Sequence, residues 1–244
     1  MKIALIGYGK MGKAIEKIAL DRGHRTPLLI DSKNPLSKNI EHLKEVDVAI
    51  EFSRPDNVIE NIYTCLDNSV PIVVGTTGWN DMLGEITEKC NEVNGQLLHA
   101  SNFSIGVNLF FDLNKKMAQM MKPFLDEYKI SMEEIHHTQK LDAPSGTAIT
   151  LAQDIIGNTS YSTYSCNENE EPLTELNGED ISIHAKRIPE VPGTHSIKYE
   201  SSIDKIEICH TAKNRTGFAL GAVIAAEWIV NKHGVYTMSD VLDL

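Results

Sequence analysis

Short apolar runs and stretches of helical spacing alternate along the first hundred residues. Met1 to Ile6 is apolar and β-rich, Gly7, Gly9 and Gly12 punctuate the turn after it, and Met11 to Leu20 takes helical spacing. Further strand-like runs follow at Pro27 to Asp31, Val46 to Phe52, Val70 to Val74 and Gln96 to His99, with helix-compatible segments between most of them. Strands alternating with helices in this way predict a parallel, doubly wound sheet.

The pattern changes after Phe103. A helix-like segment from Val107 to Met121 leads to a strand at Tyr128 to His136, a polar loop and another helix from Thr147. Residues 158 to 180, rich in Ser, Thr, Asn and Glu, are expected to form a solvated loop. Three later runs, Ile181 to Ile188, His195 to Glu200 and Lys205 to His210, predict a second sheet, mixed or antiparallel. Phe218 to Val230 is apolar almost all round, which predicts a helix buried back against the first domain.

Composition narrows the classes of partner. At 244 residues, with 41% hydrophobic and 23% charged, the chain has ordinary globular proportions and room for two cores. A formal charge of −11 opposes nucleic acid and anionic membranes, so an anionic ligand requires a local positive pocket. Cys65, Cys90, Cys166 and Cys209 are scattered without a CxxC pair or metal-ligand spacing, as expected of idle thiols in a reducing cytoplasm. Ile3 to Ile6 is too short for a secretory segment, and Phe218 to Val230, interrupted by Glu227, is too short to span a bilayer. The expectation is a cytoplasmic protein with no metal, membrane or nucleic-acid partner.

Chemistry enters with Gly7-Tyr8-Gly9-Lys10-Met11-Gly12, a GxGxxG loop between a strand and a helix. Glycines there permit a tight turn and let backbone reach a pyrophosphate, and the helix N-terminus supplies amide donors. Asp31 ends the second strand about 20 residues on, where a carboxylate accepts from the adenosine ribose hydroxyls of NAD. Ser32 and Lys33 follow and would tolerate the 2′-phosphate of NADP. Phe52-Ser53 and Gly75-Thr76-Thr77 lie at the carboxyl ends of later strands, where open α/β sheets place ligands, and Gly75 lets backbone approach a ring or phosphate. The fold class is therefore α/β: a Rossmann-like doubly wound parallel sheet over 1–103, rejoined by 214–244, plus a second α+β domain with a mixed sheet over 104–213.

The most informative segment runs from Glu134 to Ala148. His136 and His137 at a strand end offer donors near physiological pH, and Lys140 adds an ammonium that burial would turn into a usable acid. Pro144-Ser145-Gly146-Thr147 precedes a helical run, so the amides of Ser145, Gly146 and Thr147 can converge on an anion; an ordinary N-cap by Ser145 or Thr147 fits the same pattern.

This segment resembles the EhHHxxKxDxPSGTA signature of the dihydrodipicolinate reductases. It is accompanied in order by the Gly7 to Gly12 loop, Gly75-Thr76-Thr77-Gly78, Ala100-Ser101-Asn102-Phe103-Ser104 and Arg215 to Ala222. The resemblance implies that His136 is the acid/base residue and Lys140 the proton donor, with His137, Ser145, Gly146 and Thr147 binding a substrate carboxylate. It implies cofactor contacts by Gly7, Tyr8, Gly9, Lys10, Met11, Gly12, Asp31, Phe52, Ser53, Gly75, Thr76, Thr77, Ala100, Ser101, Asn102 and Phe103. It further implies NADH or NADPH as cofactor, reduction of a small dianionic cyclic imine on the diaminopimelate route to lysine, and a homotetramer built through the second domain. Two stretches depart from the family pattern: Glu51-Phe52-Ser53 replaces the usual DFT, and Glu190 to His195 only approximates GxxGEH. Another nicotinamide oxidoreductase would share the first hundred residues but not the His-His-Lys-Pro-Ser-Gly-Thr segment. A non-catalytic NAD(H) sensor would need no proton donor beside an anion cradle.

Overall fold

The apolar runs of the first hundred residues are buried on both sides, and that requires a sheet covered on both faces. The structure, a computed structural model, describes residues 1–168, 180–214 and 216–244. In chain order its elements are β1 (Lys2–Ile6), α1 (Lys10–Asp21), β2 (Arg25–Ile30), α2 (Ile40–Leu43), β3 (Val48–Glu51), α3 (Pro55–Asp67), β4 (Ile72–Val74), α4 (Leu83–Glu92) and β5 (Gln96–His99). There follow α5 (Ile105–Met121), β6 (Lys129–His136), α6 (Gly146–Asn158), β7 (Thr163–Asn167), β8 (Asp180–Arg187), β9 (Thr194–Glu200), β10 (Lys205–Thr211), α7 (Thr216–Ile229), β11 (Gly234–Tyr236) and α8 (Met238–Leu242). They divide into two compact units, Met1–Asn108 with Thr216–Leu244, and Leu109–Arg215.

In the first unit, six parallel strands lie in the order β11-β5-β4-β3-β1-β2. Because side chains alternate along a strand, Ile3, Leu5, Val48, Ile50, Val73 and Leu98 share one core with Ile15 and Ala19 of α1 and with α7. Ala4, Ile6, Ala49, Ile72, Val74 and Leu97 share the opposite core with Val58 and Ile62 of α3 and Ile86 of α4. The apolar helix α7 is buried through Ala219, Ala222, Val223, Ala225 and Ala226, and its small residues bring it close to neighbouring backbone. A Cβ on Gly221 would lie 1.7 Å from the Phe103 carbonyl oxygen. The strand β11, only three residues long, extends the sheet beside β5; so short a run carries no readable period.

In the second unit, the sheet order is β10-β9-β6-β8-β7, and it is mixed: β6 is antiparallel to β9 and parallel to β8. One face packs Ile130, Met132, Ile181, Ile183, Ile197 and Tyr199 against Leu151, Ala152 and Ile155 of α6 and Phe110 and Ala118 of α5. The polar run expected to be loop contains β7, paired parallel with β8, so that expectation is corrected over Thr163–Asn167. Thr163, Tyr164 and Cys166 tolerate a pleated edge position, and one ladder suffices to hold it. The remainder of that run, 169–179, lies outside the described residues.

Gly221→Ala should destabilise the protein by about 1–3 kcal/mol, since α7 must move off the Phe103 carbonyl to admit a methyl group. Urea unfolding measures the difference, and an unchanged midpoint would show that the contact yields freely.

Candidate functional site

The glycine loop joins β1 to α1, and two of its three glycines have a steric reason. Gly7 sits at φ +97°, and a Cβ there would lie 2.1 Å from the Phe52 carbonyl oxygen; a Cβ on Gly12 would lie 2.4 Å from the Gly7 carbonyl oxygen. Gly9 is different, because nothing lies within 4 Å of its would-be Cβ. It stands as the N-cap of α1 without a side-chain cap, so the first-turn amides there have no intrahelical acceptor. Beside it opens a cavity of about 670 Å³ lined by Gly7, Tyr8, Gly9, Asp31, Ser32, Phe52, Ser53 and Arg54, among others. This is the carboxyl edge of the parallel sheet, and an open backbone at a helix N-terminus fits a pyrophosphate.

Several expected cofactor residues are placed more finely by their neighbours. Backbone hydrogen bonds from Asn34 and Lys33 reach Asp31 Oδ1 at 2.9 and 2.8 Å and hold its carboxyl below the ordinary range. Tyr8 donates its hydroxyl to Glu16, and Met11 packs onto the core. Gly75 makes room for a ring, but the ring is that of Phe52, 2.2 Å from its would-be Cβ; the backbone approach foreseen for a ligand is taken up by this contact. Phe52 packs in turn on Phe103, with ring centroids 5.6 Å apart. Ser53 donates its amide to Thr76 Oγ1 at 2.9 Å and to Glu51 Oε1 at 3.0 Å, which ties the loops after β3 and β4 together. A smaller cavity, about 120 Å³, is lined by Thr76, Thr77, Trp79, His99, Ala100 and Ser101. Asn102 accepts the Ser104 amide, and Phe103 is buried.

In the second unit the chemistry gathers at the end of β6. Glu134 and His136, two residues apart, share a face; across the ladders Glu134 stands opposite His195 of β9 and His136 opposite Arg187 of β8. Glu134 is fully buried. Its Oε2 accepts the Ser145 amide at 3.0 Å and lies 3.8 Å from His136 Nδ1 and 3.7 Å from His195 Nε2, while its Oε1 faces Arg187 Nη2 at 3.4 Å. Burial alone would raise this carboxyl; hydrogen bonds from His195 and Ser145 and the charge of His136 outweigh it and bring it down to about 2. His136 moves the other way for a base: burial and the neighbouring His195 hold it down to about 4 against the pull of Glu134, so it is a neutral imidazole at pH 7. The rings of His136 and His195 meet edge-on at 5.0 Å. The potential ligand atoms of Glu134, His136 and His195 lie within 4.8 Å of one another, but both carboxylate oxygens already face donors, the Ser145 amide and Arg187, and His136 Nδ1 has no hydrogen-bond partner among the described residues.

The loop from His137 to Ser145 carries the remaining expected residues. Lys140 donates to both oxygens of Asp142, at 2.9 and 2.7 Å. Ser145 caps α6, accepting the Ala148 amide at 3.2 Å and meeting His195 Nε2 at 3.0 Å through its hydroxyl. Its own amide is committed to Glu134, so the anion cradle expected from three amides is reduced to those of Gly146 and Thr147 in the first turn. His137 keeps a buried Nδ1 without a partner among the described residues. Arg187 and the place of His195 beside Glu134 escaped the sequence analysis. Both reach the segment across ladders from about fifty residues away, and no local spacing reports such a contact.

Two family models match the chain, one described as the N-terminus of dihydrodipicolinate reductase over residues 1–103 and one as its C-terminus over residues 106–242. The 4-hydroxy-tetrahydrodipicolinate reductase of Christiangramia forsetii is 50% identical over 243 residues, covering 99% of this chain and 98% of that protein. Among solved structures, the dipicolinate-bound dihydrodipicolinate reductase from Paenisporosarcina sp. TG-14 superposes with a TM-score of 0.78 at 24% identity and covers 97% of both chains. An amine dehydrogenase from Mycobacterium smegmatis superposes with a TM-score of 0.62 at 10% identity over 98% of this chain and 95% of its own. These two structural likenesses establish the fold.

The electrostatics give a pH dependence of definite sign. An unfolded His136 takes a proton near 6.5 and the folded one only near 4, so the unfolded state binds more protons between these values and stability falls as the pH drops through them. Glu134 adds to the loss lower down, because its folded pKa lies below its unfolded one. Histidine NMR titration should show one resonance, removed in His136→Gln, that titrates near pH 4; a midpoint above 6 would contradict the burial argument.

Proposed function

The chain belongs to the dihydrodipicolinate reductase family, and on that premise we propose that it reduces 4-hydroxy-tetrahydrodipicolinate to tetrahydrodipicolinate on the diaminopimelate route to lysine, the substrate gaining a hydride and a proton and losing its 4-hydroxyl as water. The observation that carries this reading is the full-length likeness to a 4-hydroxy-tetrahydrodipicolinate reductase at 50% identity. Arrangement of the site supports it. The glycine loop of the first unit would hold a nicotinamide cofactor, which when bound would supply the hydride. The residues of this chain bind, orient and protonate. The amides of Gly146 and Thr147, with His137, neutralise a carboxylate of the dianionic cyclic imine. His136, neutral and buried, serves as an oriented hydrogen-bonding group, and Lys140 delivers the proton that completes reduction.

For the cofactor, Gly7 to Gly12 approach the pyrophosphate and the ionised Asp31 accepts from the adenosine ribose hydroxyls. Ser32 and Lys33 next to Asp31 leave space and charge for a 2′-phosphate, so both NADH and NADPH are used. Phe52, Ser53, Thr76, Thr77, Ala100 and Ser101 surround the remainder of the cofactor, with Asn102 and Phe103 supporting them from behind. The second unit also assembles the protein as a homotetramer, and the enzyme works in the cytoplasm.

Consumption of NADH or NADPH in the presence of the dihydrodipicolinate synthase product tests the activity directly; no consumption with either cofactor would refute it. Lys140→Ala should lower kcat by about 10²–10⁴-fold with a smaller effect on KM. A variant with raised KM and normal kcat would make Lys140 a binding residue instead. Asp31→Ala should weaken NADH more than NADPH in fluorescence titration, and equal losses would remove Asp31 from the ribose site.

A further inference from the structure

We propose that Arg187 is a positioning residue of this reaction: it fixes the backbone that carries Lys140 by clamping it to the buried carboxylate of Glu134. The inference rests on the reading of Lys140 as proton donor and adds what holds that donor in place.

The loop between β6 and α6 has no ladder of its own, so its backbone carbonyls need partners from elsewhere. Two of them find the same side chain. Arg187 Nε donates to the Lys140 carbonyl at 3.3 Å and Nη2 to the Asp142 carbonyl at 2.8 Å. The same guanidinium faces Glu134 Oε1 at 3.4 and 3.5 Å and donates to the Lys186 carbonyl at 2.9 Å. Glu134 Oε2 takes the Ser145 amide, so one carboxylate holds the loop both at its middle, through Arg187, and at its exit into α6.

Ladder register explains why this side chain can do so. Arg187 ends β8 opposite His136, the last residue of β6, and the Ile188 amide donates to the His136 carbonyl at 2.8 Å. The guanidinium therefore starts from the point where the loop departs. Its planar fork suits several acceptors at once, whereas an ammonium is a single point of charge. Among the described residues the Lys140 side chain itself is tied only to Asp142, whose side chain is 62% exposed, and an exposed pair of that kind holds little. The position of the ammonium is thus set by its backbone, and the backbone by Arg187 together with the turn bond that the Lys140 amide donates to the His137 carbonyl at 3.1 Å. Direct substrate binding by Arg187 is a poorer fit, because its nitrogens already face three carbonyls and a carboxylate.

The test is steady-state kinetics of the full chain with NADH and enzymatically generated substrate, on Arg187→Ala, Arg187→Lys, Lys140→Ala and the double variant Arg187→Ala/Lys140→Ala. A donor displaced by about an ångström loses roughly 10²-fold in rate, so both Arg187 variants should lose kcat on that order. NADH affinity, measured by titration, should be unchanged in every variant. The double variant should be no slower than Lys140→Ala within about threefold, because Arg187 acts through Lys140. Arg187→Lys keeps a charge against Glu134 and supplies the same comparison where the alanine variant fails to fold. A slow Lys140→Ala beside a normal Arg187→Lys, losses that multiply in the double variant, or a rise in substrate KM at normal kcat would each overturn the clamp. A normal kcat for Lys140→Ala would overturn the proton-donor reading itself, and the clamp with it.

Discussion

A carboxylate removed wholly from water must be surrounded by donors or give up its charge, and Glu134 obeys this constraint with consequences for everything near it. Desolvation of such a group costs several kcal/mol even after relaxation. The Ser145 amide, Arg187 and His195 offset that cost, and each comes from a different element: the loop end, β8 and β9. Satisfying one charge therefore fixes the relative placement of three strands and the start of α6. It also explains why His136 stays neutral. With Arg187 and Lys140 already cationic nearby, a further proton on a buried imidazole is disfavoured despite the adjacent carboxylate.

The first unit is governed by a different constraint, close approach. A parallel sheet covered on both faces needs helices near enough to exclude water, and at Gly12 and Gly221 only a hydrogen in place of a side chain allows it. Gly7 and Gly75 relieve the same crowding around Phe52, whose ring and carbonyl fill the space beside them. Gly9, by contrast, faces open space. Within the glycine loop, three positions thus divide into two that serve packing and one that leaves backbone accessible to a ligand.

Legibility of these features in the sequence follows their range. The doubly wound sheet could be read because strands buried on both faces make continuous apolar runs, as Ile3 to Ile6 and Ile72 to Val74 do. β7 could not, since Thr163 to Asn167 is polar and rests on a single neighbouring strand. The candidate site segment could be read because His136, Lys140 and Ser145 lie within ten residues. What the segment folds around was hidden: Arg187 and His195 arrive through ladder register, a property of pairing that no single stretch encodes. The Ser145 amide was expected to face a ligand and instead faces Glu134, a choice made by a buried charge eleven residues back.

Three carboxylates show how environment rather than residue type assigns roles here. Asp31 is exposed and held by two amides, so it remains ionised, as an acceptor for hydroxyls must. Glu134 is buried among cations and amides, and stays ionised as an anchor. Glu51 is equally buried, but its partners are neutral: Ser53, Asn61 and, through the Ser53 amide, Thr76. Burial therefore dominates and pushes its carboxyl up. One of its oxygens, Oε2, has no partner among the described residues, a state that a carboxylate tolerates poorly and a protonated acid much better. The family usually places an aspartate here. The longer side chain of Glu51 reaches Asn61 on α3 while still holding Ser53, so one buried carboxyl braces the loop after β3 that lines the adjoining cavity.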